Sequence, residues 1–427
     1  MQQKKFIPCI YLYQEKAVKN LKDRTVTNMN PVELAKFYSD NGADALIVFD
    51  LSSGDAEHEA ALDVVKAICA SVEIPVIGAG NVHRMEDIKK LLYAGCKQAA
   101  LNYSKEENIN ITEEVSLKFG KEKIVVCYSG ADAIHEHKKL IETYVSELIL
   151  VNEAAIKESY FACNVPTIIA LPEVSLDKLF EILGNASVSG ITGNAVNDNA
   201  KELNAMKTMC KSNGIEVNLI EPAFTWKDFK LNSDGMIPVV VQDYKTDQVL
   251  MVAYMNEEAF NNTIKTGRMT YYSRSRNELW IKGDTSGHYQ YMKSLTTDCD
   301  KDTLLAKVSQ VGAACHTGSY SCFFNEVVPG EANAANPLKV FEDVFNVIKD
   351  RKINPKEGSY TNYLFDKGID KILKKVGEEA TEIVIAAKNP NANEIKYEIS
   401  DFLYHMMVLM VEKGVSWEEI TEELANR

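Results

Sequence analysis

The chain has 427 residues, 46% hydrophobic and 25% charged, which are the proportions of an ordinary globular protein and exclude disordered, collagen-like and coiled-coil classes. At roughly 150 residues per domain this is length enough for about three domains, each burying its own core. Against 61 Asp+Glu stand 47 Lys+Arg, and the net charge of -14 argues against a nucleic-acid or anionic-membrane surface.

The opening MQQKKFIPCI carries no long apolar stretch after its lysines, and no later run approaches the roughly 18 residues that a membrane helix needs. A cytoplasmic chain with no membrane partner is therefore expected. Nine cysteines, an odd number scattered along the chain, are unlike the dense framework of a secreted disulfide scaffold.

Up to about residue 215, short β-branched runs alternate with polar, helix-like segments: KFIPCI, ALIVFD, IPVIGAG, QAALN, KIVVCYS, ELILVN, VPTIIAL and VSGITGN. Near-continuous apolar runs are those of parallel strands covered on both faces, and eight of them predict a (β/α)8 TIM-like barrel over 1–220. An open doubly wound sheet fits the alternation almost as well. The connection EAAIKESYFACN between the sixth and seventh runs is short, which leaves closure of the barrel open. The segment from Asn218 to Lys227 breaks the rhythm and marks the first boundary.

Through about residue 105, in KFIPCI, NPVELAKFYSDNGADALIVFDLSS and IPVIGAGNVHRMEDIKKLLYAGCKQAALN, this half resembles the histidine-pathway barrels, the cyclase subunit of imidazole glycerol phosphate synthase and its sister isomerase. That resemblance implies acidic residues at the ends of strands 1 and 5. Here Tyr11 follows IPCI and Ser129 follows IVVCY. Strand 7 runs on through Leu171, Pro172 and Glu173 where the family has paired glycines for close approach to a phosphate. Gly78, Ala79, Gly80, Gly190 and Gly193 could still bind one anion. A barrel without its own chemistry, in structural, docking or regulatory use, is the expectation.

From 221 to 330 the texture turns β-rich, with IPVVVQD, VLMVAYM, TYYSRS, ELWIKG, YQYMKSLTTD and TLLAKVSQ, as in an α+β domain. TTDCDKDTLLAKV packs Asp298, Cys299, Asp300 and Asp302 together. On a strand the three aspartates share one face and Cys299 points to the other. Three such carboxylates repel one another unless a hard cation such as Mg²⁺ bridges them. Cys315 and Cys322 follow within AACHTGSYSCFF, and three thiolates form a soft set suited to Zn²⁺, with one position left for a water whose pKa falls toward about 7. His316 is either a fourth ligand or the proton carrier. A structural zinc clip, or reduced thiols beside a solvated acidic turn, are the plainer alternatives.

With GMIPVVVQD, VLMVAYMNEEA, YYSRSRNELWIKGDTSG, DCDKD and CHTGSYSC in order, the segment resembles phosphoribosyl-AMP cyclohydrolase. Family membership implies zinc on Cys299, Cys315 and Cys322, Cys299 coming across a dimer interface, and Mg²⁺ on Asp298, Asp300 and Asp302. The implied reaction is hydrolytic opening of the adenine six-membered ring. Arg274, Arg276 and Lys282, with Ser286, are candidates for gripping substrate phosphate or ribose; an exposed charged hairpin is the alternative for the arginines. His288 stands where the family is expected to carry Asn.

A linker is read in VVPGEANAANP, with Pro329, Gly330 and Pro337. From 331 to 427 the period becomes helical, and Ser416 offers a final N-cap. Glu378, Glu379 and Glu382 fall near one helix face in KKVGEEATEIVIAAK, and Glu398 and Asp401 lie three apart in EIKYEISDFLYHMM. Carboxylate pairs beside apolar stripes on successive helices suggest an acidic pocket where Mg²⁺ bridges pyrophosphate oxygens, with Lys371, Lys374 and Lys375 neutralising the remaining charge. A solvated acidic face is the alternative for an isolated EExxE.

SYTNYLFDKGIDKILKKVGEEATEIVIAAKN followed by EISDFLYHMMVLM resembles phosphoribosyl-ATP pyrophosphohydrolase, an all-α helical bundle. This implies that Glu378, Glu379, Glu382, Glu398 and Asp401 hold Mg²⁺ and that the glutamates, Glu379 and Glu382 foremost, orient the attacking water. His405 reads as a helix-packing residue.

The expectation is thus a three-part bifunctional hydrolase of histidine biosynthesis. It binds Zn²⁺ and Mg²⁺, acts on phosphoribosyl nucleotides and forms a homodimer through its central and C-terminal domains. A broad nucleoside triphosphate pyrophosphatase with a structural zinc domain is the competing enzyme reading, and a scaffold that recruits pathway enzymes is the non-enzymatic one.

Overall fold

The computed structural model describes residues 3–160, 162–328, 339–389 and 392–425. Most of the expected linker, from 329 onward, lies outside them. The chain divides into two compact units, 1–325 and 326–427, so the first two segments of the sequence reading share one unit.

In the first unit the strands are β1 (Lys5–Ile7), β2 (Cys9–Tyr13), β3 (Lys16–Val18), β4 (Leu46–Asp50), β5 (Val76–Ala79), β6 (Gln98–Asn102), β7 (Ile124–Tyr128), β8 (Glu147–Leu150), β9 (Thr167–Ala170) and β10 (Val188–Thr192). Their order in the sheet is β1-β10-β9-β8-β7-β6-β5-β4-β2-β3. β1 and β2 are one run of chain interrupted by Pro8, which cannot donate to a ladder. The first half pairs in parallel with β10 and the second with β4, so the run closes the ring of eight strand positions. The short excursion between β8 and β9, whose α-helical turn is only Ile156–Ser159, does not prevent closure.

Side chains alternate between the two faces of these strands. Ile7, Cys9, Tyr11, Ile47, Phe49, Ile77, Ala79, Ala100, Val125, Cys127, Ile149 and Ile168 fill the interior as one buried cluster. Their neighbours along each strand pack outward against the helices in a second, larger cluster. Tyr11 stacks on Phe49 with ring centroids 5.5 Å apart and planes within 9°. Beyond β2 the chain turns back through Gln14 and Glu15, both left-handed, and β3 sets buried Val18 against that interior.

The β-rich part holds β11 (Ile237–Asp243), β12 (Val249–Met255), β13 (Thr270–Ser273), β14 (Glu278–Ile281), β15 (Gln290–Thr297) and β16 (Leu304–Gln310). Four of them form a sheet in the order β12-β11-β16-β15, and β13 and β14 form a separate hairpin. The helix Glu257–Thr266 starts on the Asn256 side chain, ends at left-handed Gly267 and packs Ala259 and Phe260 on Trp226 and the sheet.

One sequence reading is corrected here. Residues 298–302 are not a strand: they form the turn between β15 and β16, with Lys301 at φ 61°. The aspartates are brought together by turn geometry and not by strand alternation, and Cys299 is exposed on the same turn.

Among the described residues the second unit is all α-helical: Lys339–Ile353, Tyr360–Lys367, Ile369–Ala386, Ala392–Lys413 and Trp417–Ala425. Phe345, Ile348, Leu364, Ile372, Met407, Val408 and Met410 form its core. Ser416 and Glu419 cap the last helix reciprocally. Among the described residues no helix is long and apolar enough to cross a membrane.

Candidate functional sites

Three groups of polar side chains emerge from this framework. The first is the β15–β16 turn. The Asp298 carboxylate accepts the amides of Asp302 (3.0 Å) and Thr303 (3.2 Å), which ties the turn down. Desolvation opposes ionisation of Asp298, but the hydrogen bonds from Thr303 and Asp302 together outweigh it and hold its carboxyl below the ordinary value. Carboxylate oxygens of Asp298, Asp300 and Asp302 lie within 4.8 Å of one another. Lys230 compensates them, with Nζ 3.1 Å from Asp300 and 3.9 Å from Asp302. Hard oxygen donors at this spacing fit a divalent cation such as Mg²⁺.

The second group holds the thiols. Buried Cys315 receives a hydrogen bond from Thr317 Oγ1 at 3.2 Å, which lowers its pKa. Its neighbour Cys322 is raised, first by desolvation and then by the hydrogen bond and charge of Cys315. Lys282 is buried beside both thiols, with Nζ donating to the Ala314 carbonyl at 2.6 Å. Burial lowers its pKa, and the thiols act in the opposite direction. His316 is exposed, with Nδ1 3.9 Å from Cys315 Sγ. Cys299 does not join them: among the described residues no three ligands that include a thiol come within 4.8 Å of one another. One chain therefore fits only part of a three-thiolate zinc set.

Arg274 and Arg276 line a cavity of about 710 Å³ with Tyr254 and with Trp280, whose ring centroid lies 5.5 Å from the Lys282 ammonium. The Arg274 guanidinium lies 3.9 Å from the Tyr254 ring centroid, and Arg276 pairs with Glu278 at 3.2 Å. Lys282 and Ser286 are not in that wall. Ser286 is exposed and accepts the His288 amide, while His288 lies against Gly312.

The third group lies between the helices Ile369–Ala386 and Ala392–Lys413. Carboxylate oxygens of Glu379, Glu382 and Glu398 lie within 4.8 Å of one another, and Glu379 is only 4% exposed. Lys375, one turn earlier, contacts Glu379 at 2.9 Å and Glu378 at 3.3 Å. Burial pushes the Glu379 carboxyl up, but the hydrogen bond and charge of Lys375 outweigh it and the carboxyl sits below its ordinary value. Glu382 is raised, by desolvation and then by hydrogen bonding and repulsion from Glu379 and Glu398. Glu378 and Asp401 are outside this group of three. Asp401 instead offers its backbone carbonyl to His405 Nδ1 at 2.8 Å. Since a carbonyl only accepts, Nδ1 carries a proton, and in a neutral ring Nε2 accepts from the Tyr360 hydroxyl at 3.1 Å. The Lys371 ammonium lies 5.9 Å from the Tyr363 ring centroid, and Lys374 is exposed.

Sequence reasoning did not single out Lys230, Tyr254 or Trp280. Lys230 lies 68 positions before Asp298, and no local pattern links the two.

Comparison with known proteins defines the class. Residues 251–324 match the family model for phosphoribosyl-AMP cyclohydrolase, 341–427 that for phosphoribosyl-ATP pyrophosphohydrolase, and 5–159 that for histidine biosynthesis protein. The chain is a bifunctional hydrolase. It is 54% identical over 210 residues to the histidine biosynthesis bifunctional protein HisIE of Thermoanaerobacter pseudethanolicus, covering 97% of that relative and 46% of this chain. Against the protein of the same name from Bacillus subtilis it is 46% identical over 200 residues, 95% of that relative and 47% of this chain. The chain belongs to the HisIE family of bifunctional histidine-biosynthesis proteins, and about half of its length has no counterpart in these relatives.

The Lys375–Glu379 pair gives a test of the acidic group. The contribution of a carboxyl depressed in the folded state is present above its unfolded pKa of about 4.5 and is lost as pH falls through the folded value. Lys375→Met is therefore expected to destabilise the C-terminal unit by about 1–3 kcal/mol near neutral pH, a difference that shrinks as pH falls below about 4.5, as read by urea unfolding.

Proposed function

We propose that the C-terminal unit cleaves phosphoribosyl-ATP with Mg²⁺ held by Glu379, Glu382 and Glu398, and that the central domain then opens the adenine ring of phosphoribosyl-AMP in a zinc-dependent step. The observation that carries this reading is that the two groups of carboxylates drawn within 4.8 Å lie inside the two segments that match the hydrolase family models. Bound Mg²⁺ would neutralise charge on the leaving pyrophosphate, and bound Zn²⁺ would make a water acidic near neutral pH.

The chain's own residues have separate tasks. Glu379, kept ionised by Lys375, and Glu382 orient the attacking water on the pyrophosphohydrolase unit. Glu378 and Asp401 flank that group, and Lys371 and Lys374 meet the remaining phosphate charge. In the central domain Arg274, backed by the Tyr254 ring, and Arg276 grip the substrate phosphate in their cavity. Lys282 and the Thr317 hydroxyl favour thiolate at Cys315 and Cys322, and His316 carries the proton. Asp298, Asp300 and Asp302 hold a second Mg²⁺.

The third thiolate is Cys299 of a second copy. Exposed Cys299 on its turn, apart from the Cys315 and Cys322 pair, supports a shared site. So do Phe323 and Phe324, exposed beside Cys322, and Val384, Ile385 and Tyr397, exposed on the helical unit, which suit a homodimer through both regions.

The barrel carries no reaction in this reading. The Tyr11–Phe49 stack and Val18 occupy its interior where the related barrels are expected to place an acid. The candidate glycines sit in close packing: a Cβ on Gly80 would stand 2.1 Å from the Asp50 carbonyl, one on Gly190 2.4 Å from that of Lys5 and one on Gly193 2.6 Å from that of Leu171, while one on Gly78 would meet the Cys96 and Leu91 side chains.

Supplying phosphoribosyl-ATP with Mg²⁺ and Zn²⁺, and following pyrophosphate and ring-opened ribonucleotide separately, tests the assignments. Cys315→Ser is expected to release pyrophosphate and stop, and Glu379→Gln to release none. Ring opening at the wild-type rate by Cys315→Ser contradicts the zinc assignment. Equal release from ordinary nucleoside triphosphates, with no ring-opened product, favours a broad pyrophosphatase.

Mixing Cys299→Ser with Cys315→Ser chains tests the shared site. Each mixed dimer of an isologous pair regains one intact site, so random exchange restores about a quarter of wild-type ring opening. No recovery after demonstrated subunit exchange contradicts sharing.

A further inference from the structure

The segment that the HisIE relatives lack is attached to a consequential part of the central domain. The barrel helix Pro31–Asp40 ends with Asp40 facing both β15 and β16. Asp40 Oδ1 lies 3.3 Å from Lys293 Nζ on β15, and Oδ2 accepts Ser309 Oγ on β16 at 3.3 Å. Asn41, itself buried, donates to the buried Tyr291 hydroxyl at 3.4 Å. Glu73, just past the helix Asp55–Ser71, contacts Lys293 at 3.7 Å and hydrogen-bonds to Tyr244. The Lys293 ammonium also lies 5.1 Å from the Tyr244 ring centroid.

Lys293 is not an ordinary strand residue. In the β15–β16 ladder Met292 pairs with Val308 and Ser294 with Lys307, so Lys293 is the extra residue of a β-bulge. A bulge bends its strand, increases local twist and re-aims the side chain, and its geometry sets the direction of everything beyond it. Beyond it are only Ser294–Thr297 and Leu304–Lys307, roughly 13 Å of hairpin, and then the turn with Asp298, Cys299, Asp300 and Asp302.

We propose that the barrel is a positioning element for the cyclohydrolase: by holding the Lys293 bulge between Asp40 and Glu73, it aims the hairpin whose turn presents the three aspartates and Cys299. Asp40 is the positioning residue, acting through Lys293 and Ser309 without touching substrate. The proposal rests on the cyclohydrolase reading for its catalytic consequence, but not for its structural one.

The test uses the full chain with Asp40→Asn, Asp40→Glu, Lys293→Met and the Asp40→Asn/Lys293→Met pair. Hydrogen exchange at the Asp302 and Thr303 amides, which Asp298 ties down, reports the turn without metal or substrate. Ring-opening kcat and KM report the site, and pyrophosphate release is the internal control. Asp40→Asn is expected to speed exchange at the turn and lower ring-opening kcat, each roughly 3- to 30-fold, with KM and pyrophosphate release little changed. Asp40→Glu should recover part of both, and the double variant should be no worse than either single one.

Turn exchange and kcat at wild-type values in Asp40→Asn overturn the proposal. A parallel loss of ring opening and pyrophosphate release also overturns it, because general destabilisation then accounts for the effect. Should Asp40→Asn fail to fold, Ser309→Ala and Glu73→Gln each remove one contact and decide by the same two readouts. If the wild-type chain opens no ring, the cyclohydrolase reading falls, and turn exchange alone still decides the positioning.

Discussion

Like charges held at close range are the constraint on which this molecule is organised. Three aspartates at one turn, and three glutamates between two helices, have oxygens within 4.8 Å of one another. Such groups repel, and each folded site places one lysine beside its carboxylates: Lys230 at the turn and Lys375 at the helices. A lysine is a single compact charge on a flexible stem, and it offsets only part of the charge of three carboxylates. Within the helical group Glu379, beside Lys375, is held below its ordinary value, while Glu382 is raised by desolvation and by its carboxylate neighbours Glu379 and Glu398.

The two chemistries need different supports. The helical site is carried on two long packed helices, and helix periodicity sets which glutamates meet. The turn site hangs at the end of a two-stranded projection, and its placement is only as good as the hairpin beneath it. In this chain the hairpin is gripped at its bulge by Asp40 and Glu73, side chains of a barrel whose own interior is filled by Tyr11, Phe49 and their apolar neighbours. A barrel with a packed interior is well suited to that task, because stiffness is what a positioning element must supply.

Much of the architecture was legible in the sequence. The eight parallel strands announced themselves because strands covered on both faces are apolar throughout, and the helical unit because its apolar residues recur at three and four. What failed was period-two reasoning carried past Thr297 into a turn, where alternation no longer applies. Spacing also put Glu378 and Asp401 with the acidic group. In the fold Glu378 meets Lys375, and Asp401 offers its carbonyl to His405, because helical neighbours within a turn share a face only approximately. Lys230 and Asp40 carried no local signal: each acts on residues far along the chain. Nor does spacing tell that Cys299 stands apart from Cys315 and Cys322 within one chain.

The central claim is that both carboxylate groups are divalent-cation sites, and counting bound Mn²⁺ by electron paramagnetic resonance on the full chain tests it most directly. Wild type should show two classes of site per chain. Asp298→Asn should lose one and Glu382→Gln the other, each leaving its counterpart intact. Unchanged Mn²⁺ binding in both variants would contradict the account.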